Sequence, residues 1–318
     1  MTTFSEEPGL VRSDDLWYED GSVGLRAGMT LFRVHTSILS RHSEVLKAIF
    51  SQALETNSEM YEGCPLVEVT DSENDWEHFL KTIYIWPYFM PMFKEPFDVV
   101  AAVARLSTKY ACSDLRYRAT LHLASVFPFS PTNWAIRDKT RLIPPFEGEL
   151  AAYLKLAFEC DLKIILPALY YSACQGPLAD ALKAFDSVRH STNLDVSPAF
   201  LLGRDRLRYA ENQSASAYLL QRNPTFWCVL GCDVEEGFLR DRAEALVRST
   251  ASASAEQKTY AQCCIRHHHP VEGHHSKCYW YCTFIEQSIE ASRNSVWEKL
   301  PEFFGLSDWE TLKKEADV

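Results

Sequence analysis

Residues 17–54 constrain the fold most, because the apolar period changes partway through them. In "WYEDGSVGLRAGMTLFRVHT" (17–36), Val23 and Leu25 alternate with small or polar neighbours. Leu31, Arg33 and His35 alternate with Phe32 and Val34. Asp20-Gly21 and Ala27-Gly28 are turn dipeptides, so the segment predicts a pair of short, half-buried strands. From Ser37 the spacing lengthens. Ile38, Leu39, Val45, Leu46, Ile49 and Phe50 recur at three or four, which predicts helix, with Ser43 as N-cap of a second helix. A strand pair running straight into two helices points to the α+β class.

The following segments extend this pattern. "CPLVEVTD" (64–71) reads as a strand. Ser72 opens a helix whose stripe is Trp76, Phe79, Leu80, Ile83 and Tyr84. After the Pro-rich loop "WPYFMPMFKEP" (86–96), residues 97–126 carry two successive helical stripes. Pro128, Pro131, Pro144 and Pro145 then mark a boundary. Beyond it, helical stripes run over 149–174, 178–188 and 235–248, and the end of the chain reads as two helices around "LPEFFGL". The expected organisation is an α+β N-terminal domain over 12–130 and a mostly α-helical C-terminal domain over 147–318. The latter carries a polar loop near 249–276.

Composition narrows the function. The formal net charge is −11 and no Lys/Arg run exceeds two residues. Nucleic-acid binding normally needs a basic patch to displace phosphate counterions, so no nucleic-acid partner is expected. No secretory leader and no membrane span are read in the chain, because "IYIWPYFMPMF" is short and broken by Pro. That predicts a cytoplasmic or nuclear protein whose ten Cys are mostly thiols. Phosphate-binding Gly loops, the Ser-nucleophile elbow and the H-E-x-x-H zinc motif are absent, so the chain is read as non-catalytic.

Three features invite a site. Trp86, Tyr88, Phe89, Met90, Met92 and Phe93 are many large apolar residues for one loop. The loop is expected to fold back onto the C-terminal helices; the alternative is an exposed patch for a partner. His35, at a strand end, is read as a structural imidazole held by backbone or by a Ser such as Ser37 or Ser43. Asp20 is placed to pair with Arg33 or Arg41.

The residues Phe32, Val34, His35, Leu39, Ser43 and Phe50, with Leu80, Tyr84, Lys109, Tyr110 and Leu115 downstream, resemble a BTB/POZ domain. The likeness is closest to a mushroom-lineage fungal subgroup with a helical C-terminal extension. It rests on the aromatic, Pro-rich loop, on Arg116, Ala119, Leu121, Phe127, Pro128 and Trp134, and on the tail "VWEKLPEFFGLSDW". The resemblance implies a protein–protein interaction module acting through BTB-mediated dimerisation or partner recruitment. In such domains an acidic and a basic residue shape a charged pocket at the dimer interface, here Asp20 and Arg41. "Phe93-Lys94-Glu95" matches a short signature by which some BTB domains dock cullins, which gives the alternative of a substrate adaptor for a cullin-type ubiquitin ligase. Phe89 belongs to the same partner-binding loop. A further alternative is a nuclear, transcription-linked partner without direct DNA contact. Neither kelch repeats nor zinc fingers of the animal relatives follow the domain.

The segment "CCIRHHHPVEGHHSKCYWYC" (263–282) suggests metal. Zinc wants ligands in close pairs, and two C-x3-C pairs exist, Cys228 with Cys232 and Cys278 with Cys282. A structural zinc held by these four thiolates is one reading, and the fungal likeness adds to it. A site using a His and a set of buried free thiols are the other two.

Overall fold

The computed structural model describes residues 9–55, 59–192, 197–220 and 290–317. The predicted strand pair is β2 (Val23–Ala27) and β3 (Thr30–Val34), antiparallel from Val23 opposite Val34 to Ala27 opposite Thr30. Gly28 makes the turn at φ +57, a left-handed conformation in which a Cβ is strained. β2 is not half-buried. Val23, Gly24, Leu25 and Ala27 are all buried, because β5 (Cys64–Val69) runs parallel to its other edge.

Two further strands complete a five-stranded sheet in the order β1-β3-β2-β5-β4. β1 (Val11–Trp17) pairs parallel with β3 through a bulge, and β4 (Met60–Tyr61) pairs antiparallel with β5. The sheet curls until its outer strands meet. Arg12 of β1 hydrogen-bonds the side chains of Tyr61 and Glu62 beside β4, and the Trp17 and Tyr61 rings stand 6.0 Å apart, edge to face. β1 carries no alternating signal because only Leu16 in it is buried.

Cap chemistry sets the helix boundaries. α1 (Thr36–His42) gives way to α2 (Glu44–Glu55) at Ser43, whose hydroxyl accepts the Leu46 N–H at 2.9 Å. The same hydroxyl donates to the Tyr110 carbonyl, tying the helix pair to the centre of the molecule. α3 (Glu73–Tyr84) starts at Ser72, whose hydroxyl accepts the Asp75 N–H at 3.1 Å. The helical region 97–126 divides into α4 (Phe97–Lys109) and α5 (Ser113–Val126), broken where Ala111 takes φ +52.

Helices follow: α6 (Pro131–Thr140), α7 (Glu149–Glu159), a 3-10 turn (Lys163–Ile165), α8 (Leu166–Gln175), α9 (Leu178–Thr192) and α10 (Ser197–Leu220). After a helical stretch over 290–298 come α11 (Leu300–Phe303) and α12 (Trp309–Glu315). The expected stripe at 235–248 lies outside the described residues.

One hydrophobic core runs from Leu16 in β1 to Leu312 in α12. It crosses the Pro-marked stretch between 130 and 147. Tyr153 of α7 meets Phe97, Phe127 and Phe146 at 5.0, 4.8 and 5.6 Å between ring centroids. Arg105 of α4 binds Asp75 of α3 at 3.2 Å and Glu159 of α7 at 3.0 Å, a charged clasp over the same seam. Among the described residues no helix is long and apolar enough to cross a membrane.

Candidate interaction surface

Residues 85–96 link α3 to α4 by two successive turns. Tyr88 N–H donates to the Ile85 carbonyl at 3.0 Å, and Phe93 N–H donates to the Met90 carbonyl at 3.4 Å. The far end is fixed where Glu95 N–H reaches the Leu142 carbonyl at 2.9 Å, and Pro96 caps α4. Met92, at the second turn, takes φ +70, which is rare for a side chain of its size.

The inner face of the loop is anchored. Phe89 is buried with its ring stacked 4.6 Å from the imidazole of His122. The Arg118 guanidinium lies 5.2 Å from the same ring and donates to the Phe89 carbonyl. The Tyr88 hydroxyl is 2.6 Å from His78 Nδ1, and Lys81 Nζ lies 5.9 Å from the Tyr88 ring. Thus, among the described residues, the loop folds back onto α5 and α3 rather than onto the C-terminal helices. The outer face is open. Trp86 is 81% exposed, Met92 82% and Phe93 64%. The loop is therefore packed on its inner face and exposed on its outer face.

Electrostatics follow from burial. His122 is 1% exposed, and burial holds its imidazole below the usual range, with Arg118 adding repulsion. Burial also lowers Arg118. Glu95 is pushed up by burial, opposed by a hydrogen bond from the Met90 N–H. Lys81 is held well above its ordinary value by hydrogen bonds to Asp15 and Glu77, at 2.8 and 2.7 Å. What this arrangement offers is apolar area on a fixed support, which suits association rather than bond making.

The other sequence-derived sites fall elsewhere. The carboxylate of Asp20 meets neither Arg33 nor Arg41; it lies 3.2 Å from His35 Nε2. The reason is the tight turn after β1, where Gly21 N–H donates to the Tyr18 carbonyl and Tyr18 N–H to the Arg33 carbonyl. That turn seats Asp20 over the end of β3, while Arg33 donates to the Gly21 carbonyl at 3.1 Å. Arg41 stands exposed on the last turn of α1. The His35 ring is held by Asp20 and by the Tyr18 ring at 5.4 Å, and the His35 backbone N–H donates to the Tyr84 hydroxyl at 2.9 Å. Ser37 and Ser43 are not its partners: Ser43 is occupied by Leu46 and Tyr110. Burial pushes the Tyr84 hydroxyl up to about 12.

Phe89, Phe93 and Glu95 share the loop but not a role. Phe93 faces out, Phe89 is an anchor, and Glu95 is half-buried with its carboxylate turned to the loop's own backbone. Cys228, Cys232, Cys278 and Cys282 lie outside the described residues. Among the described residues no group of three metal-ligating side chains converges. Cys112 and Cys160 are buried thiols pushed up by burial to about 11, poor nucleophiles at neutral pH.

Arg118 and His122 are the residues that sequence reasoning passed over. Their signal was present: the two stand four apart, on one face of α5, within a run otherwise read as an apolar stripe.

No family model, characterised protein or solved structure matches the chain. The structure itself defines a mixed α/β protein, with a small curled five-stranded sheet at the N-terminal end and mostly helices after it.

Proposed function

We propose that this chain is a non-catalytic protein–protein interaction module of the BTB/POZ kind, working in the cytoplasm or nucleus by self-association or partner recruitment. The observation that carries the interaction reading is the open face of the 85–96 loop. Trp86, Met92 and Phe93 stay in water although the loop beneath them is fixed by Phe89, Arg118 and Tyr88. A loop held in this way has little ordering entropy left to lose on binding. The BTB/POZ part of the reading is supported by the element order: a β2–β3 hairpin, the α1–α2 pair, β5 parallel to β2, then α3 to α5.

The test is affinity purification with mass spectrometry from the native cell, alongside sedimentation of the pure chain over a concentration series. Wild type is compared with a Trp86→Ser/Phe93→Ser double variant. The reading expects a partner, or the second copy, to be lost with the double variant. Identical partner lists and identical sedimentation would refute it.

The cullin-adaptor reading draws support from Phe93 alone. Because Glu95 faces its own loop, Phe93→Ala should reduce co-purification of a cullin more than Glu95→Ala does.

A further inference from the structure

The middle of the 85–96 loop rests on two side chains of α5, Arg118 and His122, which stand one turn apart. Both lie against the Phe89 ring, at 5.2 and 4.6 Å. His122 Nδ1 is 2.9 Å from the Arg118 carbonyl, which can only accept, so Nδ1 carries the proton. Nε2 is then an acceptor, and it is buried without a hydrogen-bond partner. The Met90 and Phe93 carbonyls come near the ring, but a carbonyl offers nothing to an acceptor. Arg118 Nε is buried without a partner too, although another nitrogen of the same guanidinium donates to the Phe89 carbonyl.

A second proton on this imidazole meets opposing forces. It would gain the Met90 and Phe93 carbonyls as acceptors, but it would lie out of water beside a guanidinium. Burial is the larger obstacle and Arg118 adds to it, so the closed loop keeps His122 neutral. Among the described residues no carboxylate pairs with the ring. On the loop, Glu95 takes the Met90 N–H and Lys94 is exposed; on α5, Asp114 acts on Arg118; on α3, His78 is engaged with the Tyr88 hydroxyl. Once the loop lifts, the ring meets water, where an imidazole titrates near about pH 6.5. Lifting therefore takes up a proton below that pH, and acid favours the lifted form.

We infer that the 85–96 loop is a proton-operated latch, which lifts from α5 when His122 takes up a proton. Lifting frees Phe89, 2% exposed in the closed form, and adds it to Trp86, Met92 and Phe93. As regulation of a docking face the latch rests on the interaction reading; the lifting itself belongs to the chain alone. Above about pH 6.5 both forms are neutral and the latch is fully shut. Each further unit of acidity favours lifting by at most about tenfold, until the closed form titrates as well.

The experiment is hydrogen–deuterium exchange with mass spectrometry on the full chain, between about pH 7.5 and pH 5.5, corrected for intrinsic exchange. Peptides over 85–96 report the loop through the Tyr88, Phe93 and Glu95 amides, and peptides from α8 report the core. In wild type the protection of the loop should fall by up to about tenfold over this range while α8 stays level. Two variants remove the titration in different ways. His122→Gln retains a donor for the Arg118 carbonyl, and His122→Phe retains a ring against Phe89. In both, protection of the loop should be level with pH, whatever its starting value. Level protection in wild type overturns the latch. So does an equal fall in both variants, or a fall that α8 shares. The interaction reading fails separately: a loop that lifts in acid while Trp86→Ser/Phe93→Ser keeps every partner supports the latch and removes the docking role. Lost partners with level protection do the reverse.

Discussion

Trp297 is 6% exposed and Trp86 is 81% exposed, although it is Trp86 that has the denser aromatic sequence around it, with Tyr84, Tyr88, Phe89 and Phe93 against Phe303 and Phe304 near Trp297. Around Trp297 every ring finds another: Trp134 at 5.5 Å, Tyr171 at 5.4 Å and Trp309 at 6.3 Å. The polar handles are satisfied as well. The Trp297 indole N–H donates to the Phe129 carbonyl at 3.0 Å, and that of Trp309 donates to the Trp297 carbonyl at 2.8 Å. Around Trp86 the loop buries Phe89, half-buries Tyr88 and Met90, and leaves Trp86, Met92 and Phe93 to water. Aromatic density therefore does not tell a core cluster from a surface one. Ring neighbours brought in from distant elements do, as Trp134, Tyr171 and Trp309 are for Trp297; an indole partner alone does not, since the fully buried Trp76 Nε1 has none.

The sharpest way to break this contrast is to truncate both tryptophans. Trp297→Ala should cost about 3–5 kcal/mol, by removing a buried ring and leaving a cavity. Trp86→Ala should stay within about 0.5 kcal/mol of wild type. Urea unfolding of both variants decides, and similar losses would erase the distinction. A second, smaller effect lies at the edge of the C-terminal cluster. A Cβ built on Gly203 of α10 would stand 2.0 Å from the Phe304 ring, which packs 5.0 Å from Tyr170. Gly203→Ala should cost about 1–3 kcal/mol by overpacking, less than Trp297→Ala, because α10 can shift away. Thermal unfolding checks it, and an unchanged midpoint would mean that the α10–Phe304 contact is loose.

The parts of the fold that were legible are those set by local chemistry. Ser43 and Ser72 announce helix starts because a cap needs only its own hydroxyl and an N–H three residues on. β1 was not legible. Asp14, Asp15 and Arg12 in it are exposed, and its place is decided by β3 and by Arg12 reaching Tyr61 across the curl. α10 also escaped, since Phe200 and Leu207 face in while Leu202 and Tyr209 face out, leaving no clean stripe. Of the candidate surface, the sequence showed its apolar density but not its division into faces. That division depends on Arg118, which lies 29 residues from Phe89, and on His122 one turn further. The partner of Asp20 was missed for a similar reason: the turn at Gly21, not charge alone, places Asp20 over His35.

A third measurement probes how firmly the loop is anchored. The His122 imidazole is buried against Phe89 and held low by burial, with Nδ1 at 2.9 Å from the Arg118 carbonyl. The groups that face it are Arg118, whose charge opposes protonation, and the backbones of Met90 and Phe93. The folded value lies below that of a free imidazole, near 6.5. Above that pH both states are neutral and His122 contributes no pH dependence. As pH falls below it the unfolded chain takes up the proton first, so stability decreases. Glu211, which burial pushes up to about 7, titrates in the opposite sense, so the informative quantity is the difference between wild type and His122→Gln. Between about pH 7.5 and pH 5.5, wild type should lose stability faster than the variant. Parallel curves would mean that water reaches His122 and that the loop is less anchored than Phe89 implies.

The smallest expected change in stability carries the most functional weight. Trp86→Ser/Phe93→Ser removes two large apolar side chains whose exposure is 81% and 64%. Little area leaves water when the loop folds around them, so unfolding free energy should move by less than about 0.5 kcal/mol. Phe89, Arg118 and Tyr88 keep their partners, and the loop keeps its shape. A loss of partner binding in that variant then reports on the surface and not on folding. A drop in stability of more than about 1 kcal/mol would mean the opposite: the two side chains pack against the chain itself, and the loop belongs with Trp297 rather than in contrast to it.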